Sequence, residues 1–139
     1  MTSLTFFAEG TPAPKGSLRH VGHGRLIEQV KGSGPWKTAV ILAAAVERDR
    51  VGWATLTGPV KVTALVVVPR PKSVRRLFPI KRSAGDSDKH ARNILDALTE
   101  AHIYGDDSQV IDLHIFKRYP TDGRPPGALI RITDMEEAT

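Results

Sequence analysis

A chain of 139 residues has room for a single domain built on one modest core. The absence of cysteine excludes disulfides, thiolate zinc sites and cysteine nucleophiles. A net charge of +5 and a pI of about 9.8 favour a polyanionic partner over a neutral one.

Residues 4–8 form a short apolar run with two phenylalanines and read as the first strand. Residues 10–17, GTPAPKGS, carry two glycines and two prolines and read as a loop. Residues 19–31 are weakly patterned and read as a mobile segment containing Arg19, His20, His23 and Arg25. Pro35 suits the first turn of a helix capped by Ser33 or Gly34, and the helix is expected over 36–50. Trp36, Val40, Ala43 and Ala44 trace its core face. Trp36 and Trp53 are expected in the core or at an interface, not as base-stacking platforms.

Residues 55–59 read as a turn. Residues 60–68 are β-branched and almost continuously apolar, as in a central strand covered on both faces. Residues 69–85, PRPKSVRRLFPIKRSAG, form a long loop with three prolines and six cations: Arg70, Lys72, Arg75, Arg76, Lys81 and Arg82. Loops this long inside a compact domain are usually functional or disordered.

A second helix is expected from Asp88 or Lys89 to His102. Ala91, Ile94, Leu95, Leu98 and Ala101 make one apolar stripe, and Asp88, Arg92 and Asp96 make another row. Residues 110–119 read as a strand with Ile111, Leu113 and Ile115 on one face and Asp112, His114 and Phe116 on the other. His114 is expected at the surface. After the turn-rich 120–127, residues 128–133 are expected to pair back as a hairpin strand, and 134–139 to fray. The resulting class is α/β (α+β): a single domain over 1–139, with a mixed β-sheet and two main helices in the order β-α-β-α-β-β. No basic leader or long apolar run is present, so neither a signal peptide nor a membrane partner is expected, and the expected location is cytoplasmic.

The chemistry concentrates at the ends of the second helix. Asp86 and Asp88 stand at its start; Asp106 and Asp107 follow its end. Clustered carboxylates repel one another, and a divalent cation removes that cost. Each of these residues also has an ordinary structural role available: Asp88 as a helix cap, and Asp86, Asp106 and Asp107 as turn residues beside glycine. If the following strand runs beside 60–68, its beginning is expected to bring Asp107 back toward Asp86 and Asp88.

The wording is more specific than the charge pattern. D-S-D-K-x-x-R-N-x-L-D-A-L-T over 86–99, followed by G-D-D-S-Q-V over 105–110, resembles the RusA family of Holliday junction resolvases. The loop 10–17 is similar to the opening of phage-type members. The resemblance implies a homodimeric, Mg²⁺-dependent endonuclease acting on four-way DNA junctions in recombination and repair, with Mn²⁺ able to substitute. It implies Asp86, Asp88 and Asp107 as metal-binding catalytic carboxylates, Asp106 as a supporting residue, and Asp96 as the family's helix aspartate. Lys89 stands where many members have Asn, and Arg92 where many have a catalytic Lys; either supplies the cation that stabilises the transition state. Lys15 and the six loop cations are expected to contact DNA phosphates. Phe78 either stacks on or wedges between bases at a branch point, or is a core anchor. The competing functions are a non-catalytic or weakly catalytic branched-DNA-binding protein of the same fold, and a hydrolase of a smaller phosphate ester.

Overall fold

The computed structural model describes residues 2–15, 18–20, 26–28, 33–121 and 123–136, with backbone alone for 18–20 and 26–28. Gly16, Ser17, His23, Arg25 and Lys31 lie outside the described residues.

Alternation of buried and exposed residues along β1 (Ser3–Glu9) inserts Leu4, Phe6 and Ala8 into the core. Two short strands, β2 (Leu18–His20) and β3 (Leu26–Glu28), pair antiparallel as a separate hairpin. They occupy the segment read as mobile, where three-residue strands are too short to leave a period-2 pattern. Helix α1 (Ser33–Val51) starts earlier than expected, with Ser33 already helical and Pro35 in the first turn. It buries Trp36, Val40 and Ala44. Trp53 is half-buried, and its indole Nε1 donates to the Ile103 carbonyl at 3.0 Å.

Strand β4 (Val60–Val67), helix α2 (Ser87–Glu100), strand β5 (Val110–Arg118) and strand β6 (Gly127–Asp134) complete the fold. The main sheet has the order β1-β6-β4-β5. Strand β5 runs parallel to β4, whereas β6 is antiparallel to both β4 and β1. The expected hairpin between 128–133 and the preceding strand is therefore corrected: the connection passes over β4, and β6 enters between β1 and β4.

Both helices pack on one face of the sheet, over Val60, Val62, Ala64 and Val66 of β4 and Ile130 and Ile132 of β6. The other face leaves Phe7, Thr63, Phe116 and Leu129 exposed, so β4 is not covered on both sides. A register shift near Val60 and Lys61 places Ile111 out of the expected alternation, 64% exposed. Leu113 is exposed as well, so of the three residues expected to face inward only Ile115 packs against the core, and His114 lies at the surface with Nε2 2.8 Å from Asp112. The α2 stripe is buried as its spacing dictates, with Ala91, Ile94, Leu98 and Ala101 in the core and Leu95 against it. Since α2 connects two adjacent parallel strands, it runs back along them. Its start lies near the end of β5, and its end near the beginning of β5.

Candidate active site

The segment entering α2 is held from three sides. In the loop 69–85, Val74 and Pro79 are buried, while all six cations are exposed. Arg70 lies 4.8 Å from the Tyr119 ring centre. Phe78 is half-exposed and meets Phe116 edge-on at 5.9 Å, so it packs on the open side of the sheet and not in the core. The loop ends in a 3₁₀ turn, Arg82–Ala84, followed by Gly85 at φ +85°. A Cβ on Gly85 would lie 2.7 Å from both His90 Nε2 and Pro14 Cγ, so only glycine fits this passage. Lys117 Nζ, near the end of β5, donates to the Gly85 carbonyl at 2.7 Å. His90 Nε2 lies 2.7 Å from the Ala84 carbonyl and is the ring nitrogen that carries the proton.

These contacts fix the backbone in front of Asp86 and Asp88 without using their carboxylates. Asp86 occupies the cap position of α2, but its side chain makes no cap hydrogen bond. Lys89 Nζ stands 3.9 Å from it, in an exposed pair of little energetic weight. Asp88 lies in the first helical turn, exposed, and is not the cap.

His90 is fully buried, and its Nδ1 has no partner among the described residues. Burial chiefly, with Lys117 adding repulsion, holds its pKa below the ordinary histidine value, against the opposing pull of the Ala84 carbonyl and Asp86. The unfolded chain therefore takes up this proton first. Its contribution to stability is complete above about pH 6.5 and declines as pH falls below that value. Urea unfolding at pH 7.5 and 5.5 is expected to give a lower midpoint at 5.5. His90→Gln, which retains an amide donor for Ala84, is expected to shrink that difference; an unchanged difference assigns the acid sensitivity to other groups.

The other end of α2 is built differently. His102 takes φ +59°, the Ile103 N–H bonds to the Leu98 carbonyl and the His102 N–H to that of Thr99, which is a Schellman stop formed without glycine. Asp106 accepts from the Ser108 N–H at 2.9 Å and caps the turn Asp107–Gln109; hydrogen bonds from Ser108 hold its pKa below the usual carboxylate range. Gln109 Oε1 accepts from the Gly105 and Asp106 N–H groups, and its Nε2 donates to the Leu56 and Gly58 carbonyls. The turn role weighed for both aspartates thus belongs to Asp106.

Asp107 is free of that task and half-buried. The Thr99 hydroxyl donates to Asp107 Oδ1, and the Tyr104 hydroxyl, which donates to the Leu95 carbonyl at 3.1 Å, lies 3.5 Å from the same oxygen. Burial first, then the charge of Asp96 beside it, raises the Asp107 pKa, while the Thr99 hydrogen bond opposes the rise. Lys15 Nζ sits 2.5 Å from Asp96 Oδ2. Its loop is docked by the buried Asn93, whose amide donates to the Ala13 carbonyl at 2.9 Å, and by the Lys15 N–H on the Lys89 carbonyl. The structure thus joins Lys15, Asp96 and Asp107, and separately joins Asp86 with Lys89. Arg92 is exposed on the row between them.

The expected approach of Asp107 to Asp86 and Asp88 does not occur within one chain. Strand β5 does run beside β4, but Asp107 precedes its start, whereas Asp86 adjoins Lys117 near its end. Asp88 and Thr99 stand eleven positions apart on the helix, a rise of roughly 16 Å. Among the described residues, no three acidic or histidine side chains come close enough to hold one metal ion. The sequence reading did not single out Thr99, Tyr104, Asn93 or Lys117. Thr99 closes the quoted motif and was the available signal; Lys117 is identified by the tertiary fold alone.

Residues 9–133 match the family described as Endodeoxyribonuclease RusA. The chain belongs to the RusA family. The match extends from the first strand to the last, and so includes the docked loop, the basic segment and both ends of α2. An uncharacterized protein from Bacillus subtilis (strain 168), YqaN, is 33% identical over 138 residues, covering 89% of this RusA chain and 93% of YqaN. RusA membership carries endodeoxyribonuclease activity and a general dependence on divalent metal at the family level.

Proposed function

We propose that this chain is a Mg²⁺-dependent endonuclease that resolves four-way DNA junctions as a homodimer, with Mn²⁺ able to substitute. The supporting observation is the arrangement of two uncapped carboxylates, Asp86 and Asp88, directly behind a loop whose six cations are all exposed. A small phosphate ester does not require such a run of cations, whereas a DNA backbone does.

The donor set fits a hard divalent cation. Asp86, Asp88 and Asp107 offer only oxygen ligands, and burial holds the Asp107 pKa above the usual carboxylate value, a cost that a bound cation would offset. These three residues would hold the metal, which when bound polarises a phosphodiester and acidifies an attacking water. The chain's own groups do the remaining work. Thr99 and Tyr104 orient Asp107, and Lys117 and His90 hold the backbone ahead of Asp86. Arg92 or Lys89 offsets charge on the phosphoryl oxygens; Arg92 can do so in bidentate fashion but cannot give up a proton. Lys15, Arg70, Lys72, Arg75, Arg76, Lys81 and Arg82 bind DNA phosphates. The site of action is the cytoplasm; among the described residues, no helix is long and apolar enough to cross a membrane.

The test is a mobile four-way junction and a matched linear duplex, each with and without Mg²⁺, with cuts mapped on opposing strands. Paired, metal-dependent cuts confined to the junction are expected. Tight junction binding without cleavage would favour the non-catalytic reading, and negligible affinity for branched DNA the small-ester reading. Changing Arg75 and Arg76 together to Ala is expected to lower the slope of log K against log salt by roughly 1–2. An unchanged slope removes the loop from the DNA interface.

A further inference from the structure

We infer that the open face of the main sheet is a second DNA site, which takes about two or three unpaired nucleotides with their bases laid across the strands. The inference rests on the DNA-binding reading above and adds a single-stranded segment to the substrate. The surface lies on the side of the sheet away from both helices.

Strand register brings the apolar residues of this face into one row. Leu129 of β6 pairs with Phe7 of β1 on one side and with Leu65 of β4 on the other, and Leu65 pairs with Phe116 of β5. Phe7, Leu129 and Phe116 are exposed, and Phe78 of the basic loop extends the row through its edge-on contact with Phe116. At about 4.8 Å from each strand to the next, the row is roughly 14 Å long, with an aromatic ring at each end. Nucleobases stack on such rings, and a four-stranded sheet backed by helices can present them to several bases at once. The bases of an intact duplex are already stacked on one another and cannot lie on this strip.

Cations border the row on both sides. Toward one side, Arg131 of β6 and His114 of β5 stand level with Thr63 of β4, and Arg131 is exposed. Toward the other, Arg118 stands level with Val67, and Arg124 follows in the turn before β6. Phe7, Leu65, Val67, Leu129, Arg118 and Arg124 line a cavity of 380 Å³, within the range of pockets that hold small ligands. Arg118 Nε is buried with no hydrogen-bond partner among the described residues, and an anionic oxygen would satisfy it. Among the described residues, the carboxylates of this face are Glu9, at a corner, and Asp112, which lies 2.8 Å from His114 and 3.8 Å from Lys61. The excess charge is therefore positive. A second copy seated face to face would oppose two surfaces of the same sign, and a neutral apolar partner would leave the arginines unpaired. Flat apolar groups that each carry a phosphate, as in a single strand of DNA, match both features. The row meets the basic loop at Phe78, so the surface is continuous with the loop cations proposed above to bind phosphates.

The test uses the full-length protein in EDTA, so that metal-dependent cleavage is silent, with a fluorescein-labelled oligothymidylate of about twelve nucleotides as the probe. Wild type is expected to bind it in anisotropy titrations, and Phe7→Ala to bind it about tenfold or more weakly, with no matching loss for a blunt duplex. Changing Arg118 and Arg124 together to Gln is expected to lower the slope of log K against log salt by about 1. Should Phe7→Ala fail to fold, photo-cross-linking of wild type to the same oligonucleotide carrying 5-iodouracil replaces it, and adducts are expected on the peptides that contain Phe7 or Phe116. Equal affinity of wild type and folded Phe7→Ala, or adducts confined to residues 69–85, overturns the inference. Loss of self-association by Phe7→Ala in light scattering, with oligonucleotide affinity unchanged, assigns the face to a second copy and also overturns it. A wild-type chain that binds the oligonucleotide through Phe7 but never cuts junctions refutes the nuclease reading and upholds this one.

Discussion

Replacing Asp88 with asparagine is expected to leave junction affinity within about threefold of wild type and to lower single-turnover cleavage by two to three orders of magnitude, equivalent to roughly 3–4 kcal/mol of lost transition-state stabilisation. The size follows from how little else the side chain does. Asp88 is exposed in the first turn of α2, is not the cap, and buries no surface that asparagine would leave empty. Its structural contribution is a favourable charge near a helix N-terminus, worth about 0.3–1 kcal/mol. A drop of that size in stability leaves the fold populated, so the loss of rate reports on the site itself. Junction affinity is measured by gel shift in Ca²⁺ and cleavage in Mg²⁺ with enzyme in excess. Near wild-type cleavage by the variant removes Asp88 from the metal-binding set.

The largest expected effect on stability lies at Gly127, the first residue of β6. It has φ +155°, pairs with Glu9 on one side and Val67 on the other, and approaches the neighbouring strand so closely that a Cβ would lie 2.2 Å from the Ala8 carbonyl oxygen. The opposing atom is backbone within the main sheet, so the clash is relieved only by parting β1 from β6. Gly127→Ala is expected to destabilise the protein by about 3 kcal/mol or more, a large part of a typical domain's stability. At a urea slope of about 1–3 kcal/mol per molar, the unfolding midpoint falls by at least about 1 M. Gly34→Ala is the control: a Cβ there meets nothing within 4 Å, and the midpoint is expected to hold or rise. Equal behaviour of the two variants would show that the close approach of β6 to β1 does not limit stability.

Much of the fold is legible because its elements are locally coded. The stripe from Ala91 to Ala101 is apolar at helical spacing and is buried at that spacing. Val60, Val62, Ala64 and Val66 alternate into the core as a strand requires. Strand partners are not coded locally. Residues 128–133 are apolar whichever neighbour they join, and the choice of β4 and β1 depends on where 120–127 leads the chain. The open face of β4 is hidden for a related reason: Leu65 and Val67 make the run look two-sided, although Thr63 already marks the solvent side.

In the candidate site, the identities of Asp86, Asp88 and Asp107 follow from motif spacing, but their separation does not. A motif orders residues along the chain, and a helix that runs back along its strands converts nearness in sequence into distance in space. The divergence of Asp106 and Asp107 is also tertiary in origin. One caps a turn with Ser108, while the other turns inward to Thr99 and Tyr104, partners brought to it by the α2 stop at His102.

The fourteen residues of α2 also act as a spacer. Because the helix runs back along its strands, its length sets how far the segment fixed by Lys117 stands from the turn fixed by Gln109. One added turn would lengthen that separation by about 5.4 Å without turning the buried stripe far from the sheet. The distance between the two acidic ends is thus a property of the backbone, and is open to change by inserting or deleting whole turns.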